Sequence, residues 1–121
     1  MTEAADYMPY IDINDGLNRI RGNKKLYAMM LKSFKANPMY PQAKDAVLAG
    51  DVKAAQMQMH TLKGVAGNLS LKKLFEVVVP VEGVLKTEMV PVSALQPIDE
   101  AFDKTLVLID RLLDELKAEG F

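Results

Sequence analysis

The chain has 121 residues, half of them apolar and 26% charged, with a formal net charge of −1, one histidine and no cysteine. That length and composition predict a single soluble globular domain, 1–121, with one sizeable core. The charge balance supplies no global field for nucleic acid or an anionic membrane, and the missing cysteines with the lone histidine exclude disulfides, thiolate metal sites and a structural zinc centre.

No apolar run approaches the roughly 18 residues that read as a membrane span. The start, Met1 to Asp6, is acidic and lacks the basic and apolar regions of a signal peptide, so a cytoplasmic setting is the expectation. GxGxxG, P-loop and GxSxG patterns are absent.

Residues 1 to about 10 read as irregular. Asn14 or Asp15 is positioned to cap a short helix carrying Leu17 and Ile20, which Gly22 closes. Asn23 caps a second helix with Leu26, Tyr27, Met30, Leu31 and Phe34 at helical spacing, ended by Asn37-Pro38. A third begins near Tyr40-Pro41, carries Ala43, Val47 and Leu48, and stops at Gly50. Asp51 caps a fourth helix, about 52–69, and Ser70 is expected to cap a fifth, about 71–88.

The fifth helix contains Val77-Val78-Val79, which taken alone resembles a strand. The three- and four-residue spacing of Leu71, Leu74, Phe75, Val78, Val81 and Leu85 extends past it on both sides and favours helix. Pro80 lies inside and is expected to kink it. A loop over 89–97 leads to a last helix, about 97–118, with Ile98, Phe102, Leu106, Ile109, Leu113 and Leu116. Tyr27, Phe34, Phe75 and Phe102 read as core. The pattern predicts an all-α, antiparallel up-down four-helix bundle, its core about 23–118, with one or two short helices at its N-terminal end.

His60, the lone histidine, opens His60-Thr61-Leu62-Lys63-Gly64-Val65-Ala66-Gly67-Asn68-Leu69. On a helix, Val52, Ala55, Met59, Leu62, Ala66 and Leu69 form the core stripe, while Gln56, His60, Lys63, Gly64 and Gly67 gather on the flank beside it. The imidazole is thus accessible to something large and anionic. Glycine inside a helix costs about 0.5–1 kcal/mol relative to alanine. Gly64 points away from the core stripe, so access explains it better than packing; for Gly67 the two explanations stand level.

Glu82 lies on the apolar stripe between Val78 and Leu85, where a charge needs a partner. His60 and Glu82 lie at similar distances either side of the turn at Ser70. At ~1.5 Å rise per residue, antiparallel helices put them within about 3 Å in height. A carboxylate accepting the Nδ1 hydrogen fixes the tautomer and leaves Nε2 free as a nucleophile. The alternative is that Glu82 escapes to solvent past the kink at Pro80.

The pattern His-Thr-Leu-Lys-Gly-x-Ala-Gly-Asn-Leu over 60–69 resembles the signature of the histidine-containing phosphotransfer (HPt) domain of two-component phosphorelays. Gly16-Leu17-x-Arg19, Leu26-Tyr27, Leu31-x-x-Phe34, Gly50-Asp51, Leu74 and Val81-Glu82 extend the resemblance over most of the chain. It implies a four-helix bundle whose histidine carries a phosphoryl group between receiver-domain aspartates, a phosphocarrier without kinase activity of its own. His60 would be phosphorylated on Nε2, Lys63 would help neutralise the phosphoryl group, and Gly64 would admit the receiver's active site. Glu82 matches a position that hydrogen-bonds the histidine in several members. Gln56, Met57 and Gly67 are candidate docking contacts.

The resemblance implies no cofactor on this chain. Mg²⁺ is expected on the receiver, and a hybrid sensor histidine kinase is among the candidate partners; a monomer is the expected state. Two departures stand out. Ser70 replaces the family's usual glycine, and Pro80 precedes Glu82 by two residues. Two other readings stay open: a kinase-phosphorylated substrate domain of a chemotaxis-type histidine kinase, and a non-phosphorylated adaptor bundle that binds receivers.

Overall fold

The computed structural model describes residues 3–121. The elements are a 3₁₀ turn Ala4–Tyr7, α1 Ile13–Asn18, α2 Lys24–Ala36, α3 Met39–Leu48, α4 Val52–Asn68, α5 Lys72–Leu85, a second 3₁₀ turn Val92–Leu95 and α6 Gln96–Ala118. No strand occurs among the described residues, and Val77–Val79 is helical.

The caps are local chemistry. Asn23 and Asp51 accept from the backbone N–H groups of Leu26 and Ala54, at 2.9 and 3.1 Å, which satisfies a donor that the first turn cannot. Two expected caps are corrected. Asp12, rather than Asn14 or Asp15, caps α1 by accepting from Asp15 N–H at 3.1 Å. Ser70 does not cap α5, whose N-cap is Leu71 with no side-chain bond. Ser70 instead turns the chain at φ +57°, the left-handed region that favours glycine and strains other residues. A glycine would adopt this conformation without that strain. Here the serine hydroxyl bonds Asp15 Oδ2 at 2.5 Å, which helps hold the unusual conformation.

α4 and α5 pair antiparallel across this turn: His60 meets Glu82, and Gly67 meets Phe75. α6 packs on α5 and on α2. It runs antiparallel to α2, with Lys24 paired to Glu119 and Lys35 to Asp110. α3 packs on α4 and, through the Tyr40 and Phe102 rings, on α6. α2 and α3 thus fill the side between α4 and α6, completing an all-helical antiparallel bundle.

The core is contiguous. Leu31, Ala55, Met59, Leu62, Ala66, Leu74, Val78, Ile98, Ile109 and Leu112 are all buried. Tyr7, Ile11, Met39 and Tyr40 join them, although their segments gave little amphipathic signal. Four expected stripe residues are exposed instead: Leu26 and Val52 lie in first turns, Leu48 ends α3, and Phe75 lies on the outer face of α5. The segment expected to be irregular contributes a 3₁₀ turn and a buried tyrosine, and Ile20 lies beyond the end of α1. Met1 and Thr2 lie outside the described residues.

The N-terminal segment fastens the α4–α5 turn. Asp12 N–H donates to Ser70 O at 3.0 Å, and the buried Tyr27 hydroxyl donates to Leu69 O at 2.8 Å. Asp15 also pairs with Lys72 at 3.2 Å and Arg19 at 3.2 Å. Hydrogen bonds from Ser70, Arg19 and Lys72 hold its carboxyl at about 2. Gly16 makes the close fit to Tyr27 possible, because a Cβ there would lie 2.7 Å from the phenol oxygen. The ring cannot retreat without breaking its bond to Leu69. Gly16→Ala is therefore expected to destabilise the protein by about 1–3 kcal/mol, measured as a lower urea midpoint at unchanged m-value.

Candidate functional site

α4 presents His60 to solvent with 64% of its side chain exposed, while Glu82 on α5 is 1% exposed. The two meet with Nδ1 2.7 Å from Oε1. An ionised carboxylate only accepts, so Nδ1 carries the hydrogen and the lone pair of neutral His60 sits on Nε2. The contact anticipated from helix heights is present, and Pro80 does not divert Glu82. Pro80 stands on the exposed side of α5, and the helix continues through it to Leu85. Its missing N–H removes one helix bond, to Glu76 O, without moving the following turn away from α4.

Glu82 is ringed by donors. Lys63 Nζ lies 3.4 Å and Gln56 Nε2 3.5 Å from Oε1; Lys86 Nζ lies 3.7 Å from Oε2. Burial pushes its carboxyl up, but the hydrogen bond from His60 and the charges of Lys63 and Lys86 outweigh this and hold it below the usual carboxylate value. Glu82 is therefore an anion at neutral pH despite its burial. Lys86 was not anticipated from sequence, although its position one turn after Glu82 signals an i,i+4 ion pair.

Around this pair the surface is low. Nothing lies within 4 Å of where a Gly64 Cβ would stand. A Gly67 Cβ would meet the Phe75 ring at 3.4 and 3.5 Å, ordinary van der Waals contact, so close packing does not by itself require glycine there. Phe75 is 39% and Val79 40% exposed; one turn apart on α5, they give the face beside α4 an apolar margin. Met57, also on the outer side of α4, is 58% exposed. Gln56, a candidate docking contact, turns its amide toward Glu82. Among the described residues, no group of three or more His, Asp and Glu converges as a metal site, and no helix is long and apolar enough to cross a membrane.

The comparison with protein families agrees with this geometry: the model of the Hpt domain matches residues 36–119. The chain belongs to the Hpt domain family. No curated protein and no solved structure matches it significantly. The match spans α3 to α6 and includes His60 and Glu82. Membership makes histidine phosphotransfer in two-component signalling the function of this Hpt domain, with receiver domains of response regulators or hybrid kinases as the partner class. Hpt domains are phosphocarriers rather than enzymes.

Proposed function

We propose that this Hpt domain accepts a phosphoryl group on His60 Nε2 from the aspartyl phosphate of one receiver domain and passes it to an aspartate of another. The observation that supports this most is the exposed imidazole anchored through Nδ1 to a buried, ionised Glu82. The nucleophile is thereby oriented before the donor arrives. Such preorganisation is most of what a protein contributes to phosphoryl transfer.

In the forward step the Nε2 lone pair attacks phosphorus in line with the acyl oxygen. The P–O bond breaks, the aspartate leaves as a carboxylate, and a P–N bond forms. Nδ1 keeps its hydrogen throughout, and Glu82 offsets positive charge that develops on the ring. Lys63, one quarter exposed and one turn from His60, is placed to neutralise the phosphoryl oxygens. The second transfer reverses these steps. Gly64 admits the receiver, while Met57, Phe75 and Val79 give it apolar surface.

Mg²⁺ fits the receiver better than this chain. The one carboxylate against His60 is Glu82, and its oxygens already face four donors. When bound on the receiver, the ion supplies charge neutralisation on the phosphoryl group. The reading takes the domain to act as a cytoplasmic monomer.

The test is transfer from a receiver charged on its aspartate, with His60→Gln in parallel, following acid-labile, alkali-stable label on each chain. Wild type is expected to take label and His60→Gln none. Binding without label from any of several receivers would favour the adaptor, and label only from a kinase with ATP would favour the kinase-substrate domain.

A further inference from the structure

Glu82 has two oxygens with unequal partners. Oε1 receives His60, Lys63 and Gln56, all from α4, whereas Lys86 from the same helix approaches Oε2. The charged groups facing this carboxylate are His60 and Lys63 across the α4–α5 interface and Lys86 on its own helix. Among the described residues, α3 and α6, packed against these two helices, place no charged group in hydrogen-bond or ion-pair contact with it.

Lys63 has two demands on it. At rest its ammonium lies 3.4 Å from Oε1. In the phosphorylated state the proposed function asks it to face the phosphoryl oxygens on the Nε2 side of the ring, opposite Nδ1. One ammonium cannot make close contact on both sides of an imidazole. If Lys63 leaves, the buried carboxylate loses a counter-charge just when it must stay ionised to hold Nδ1–H. Lys86 is 58% exposed and within an ion-pair distance of the oxygen that Lys63 does not use. It is free to close in as Lys63 departs.

Resting on the phosphocarrier reading, we propose that Lys86 is a positioning residue: it takes over as counter-ion to Glu82 when Lys63 turns to the phosphoryl group, so that the His60 tautomer is held through the transfer cycle. Lys86 acts through Glu82 and touches neither the donor nor the phosphoryl group.

The experiment is a carboxyl ¹³C NMR titration of Glu82 in the full chain, comparing wild type, Lys63→Gln, Lys86→Gln and the double variant. The same titration is repeated after chemical phosphorylation with phosphoramidate, which needs no partner protein. Lys86 is the exposed partner of this pair and at 3.7 Å the most distant of the donors, so with Lys63 in place Lys86→Gln alone is expected to move the midpoint by only a few tenths of a pH unit. In the Lys63→Gln background, or in the phosphorylated protein, removing Lys86 is expected to raise the midpoint by about one unit. Lys86→Arg is expected to restore it. The same few tenths in every background would overturn the proposal. A His60 that phosphoramidate leaves unlabelled would overturn the carrier reading and the handover with it, whereas additive shifts in the unphosphorylated variants would overturn the role of Lys86 alone.

Discussion

Gly64→Leu is expected to make the protein more stable and to stop it working with its partner. The position is exposed, in the interior of a helix, with nothing within 4 Å of a Cβ. Replacing glycine by a good helix former at such a site gains about 0.5–1 kcal/mol, seen as a higher urea midpoint. Gly64 follows His60 by one turn, so its side chain would stand beside the imidazole where the receiver must close. Displacing a reacting atom by about 1 Å can cost about 100-fold in rate, and a loss of at least that size is expected in transfer from a charged receiver. A small donor such as phosphoramidate needs no such approach and is expected to label Gly64→Leu as well as wild type. Loss with both donors would mean that the substitution damages His60 itself; undiminished transfer from the receiver would remove access as the reason for glycine.

The second large effect belongs to Glu82. Glu82→Leu removes the acceptor for Nδ1–H and frees the ring to change tautomer and orientation. Losing a partner that orients an imidazole typically costs about 10–100-fold, and that fall is expected in the transfer rate while receiver affinity stays unchanged, since Glu82 is buried beneath the surface. Glu82→Gln keeps an acceptor oxygen and is expected to retain more activity than Glu82→Leu. Equal losses would show that charge rather than hydrogen bonding is what His60 requires.

Stability is expected to move the other way in Glu82→Leu. The side chain sits on the stripe of Val78 and Leu85, and its former partners His60, Lys63 and Lys86 all retain access to water. Replacing a buried charge by a well-packed apolar group is then neutral or favourable near pH 7. The pH dependence has a definite sign. The folded-state pKa of Glu82 is depressed, so its contribution is fully present above the unfolded carboxylate value near 4.5 and lost as pH falls through the lower folded value. Glu82→Leu is expected to remove that part of the acid-side slope. At both Gly64 and Glu82 the residue present is less favourable to the bare fold than an available alternative, which marks them as placed for the histidine.

Most of this site could be read from the residues because helical geometry is regular. Fixed rise and an antiparallel turn bring His60 and Glu82 level, whatever the details of packing. The Val77–Val79 run resolved as helix because its spacing extended through Leu74 and Leu85. Tertiary context escaped the reading. Phe75 looked like core by spacing, but its ring lies over Gly67 on the outside. Ser70 carried a strong capping preference, yet the turn required a left-handed residue there, and its hydroxyl found a distant carboxylate on α1. Tyr7 and Tyr40 lie in segments with weak periodicity and are buried by long-range contacts. Lys86 drew no attention in the sequence, because its value depends on the direction in which Glu82 points.

The turn that closes the α4–α5 hairpin is held from upstream. Tyr27, Asp12 and Asp15 grip Leu69 and Ser70, yet all three precede residue 36, where the match to the family model begins. The matched segment therefore contains the histidine and the carboxylate but not the clasp that holds the hairpin's turn. A graft of the matched segment into another scaffold would transplant the chemistry without its fastening. These upstream residues are where the pitch of the two site helices can be retuned without touching the site.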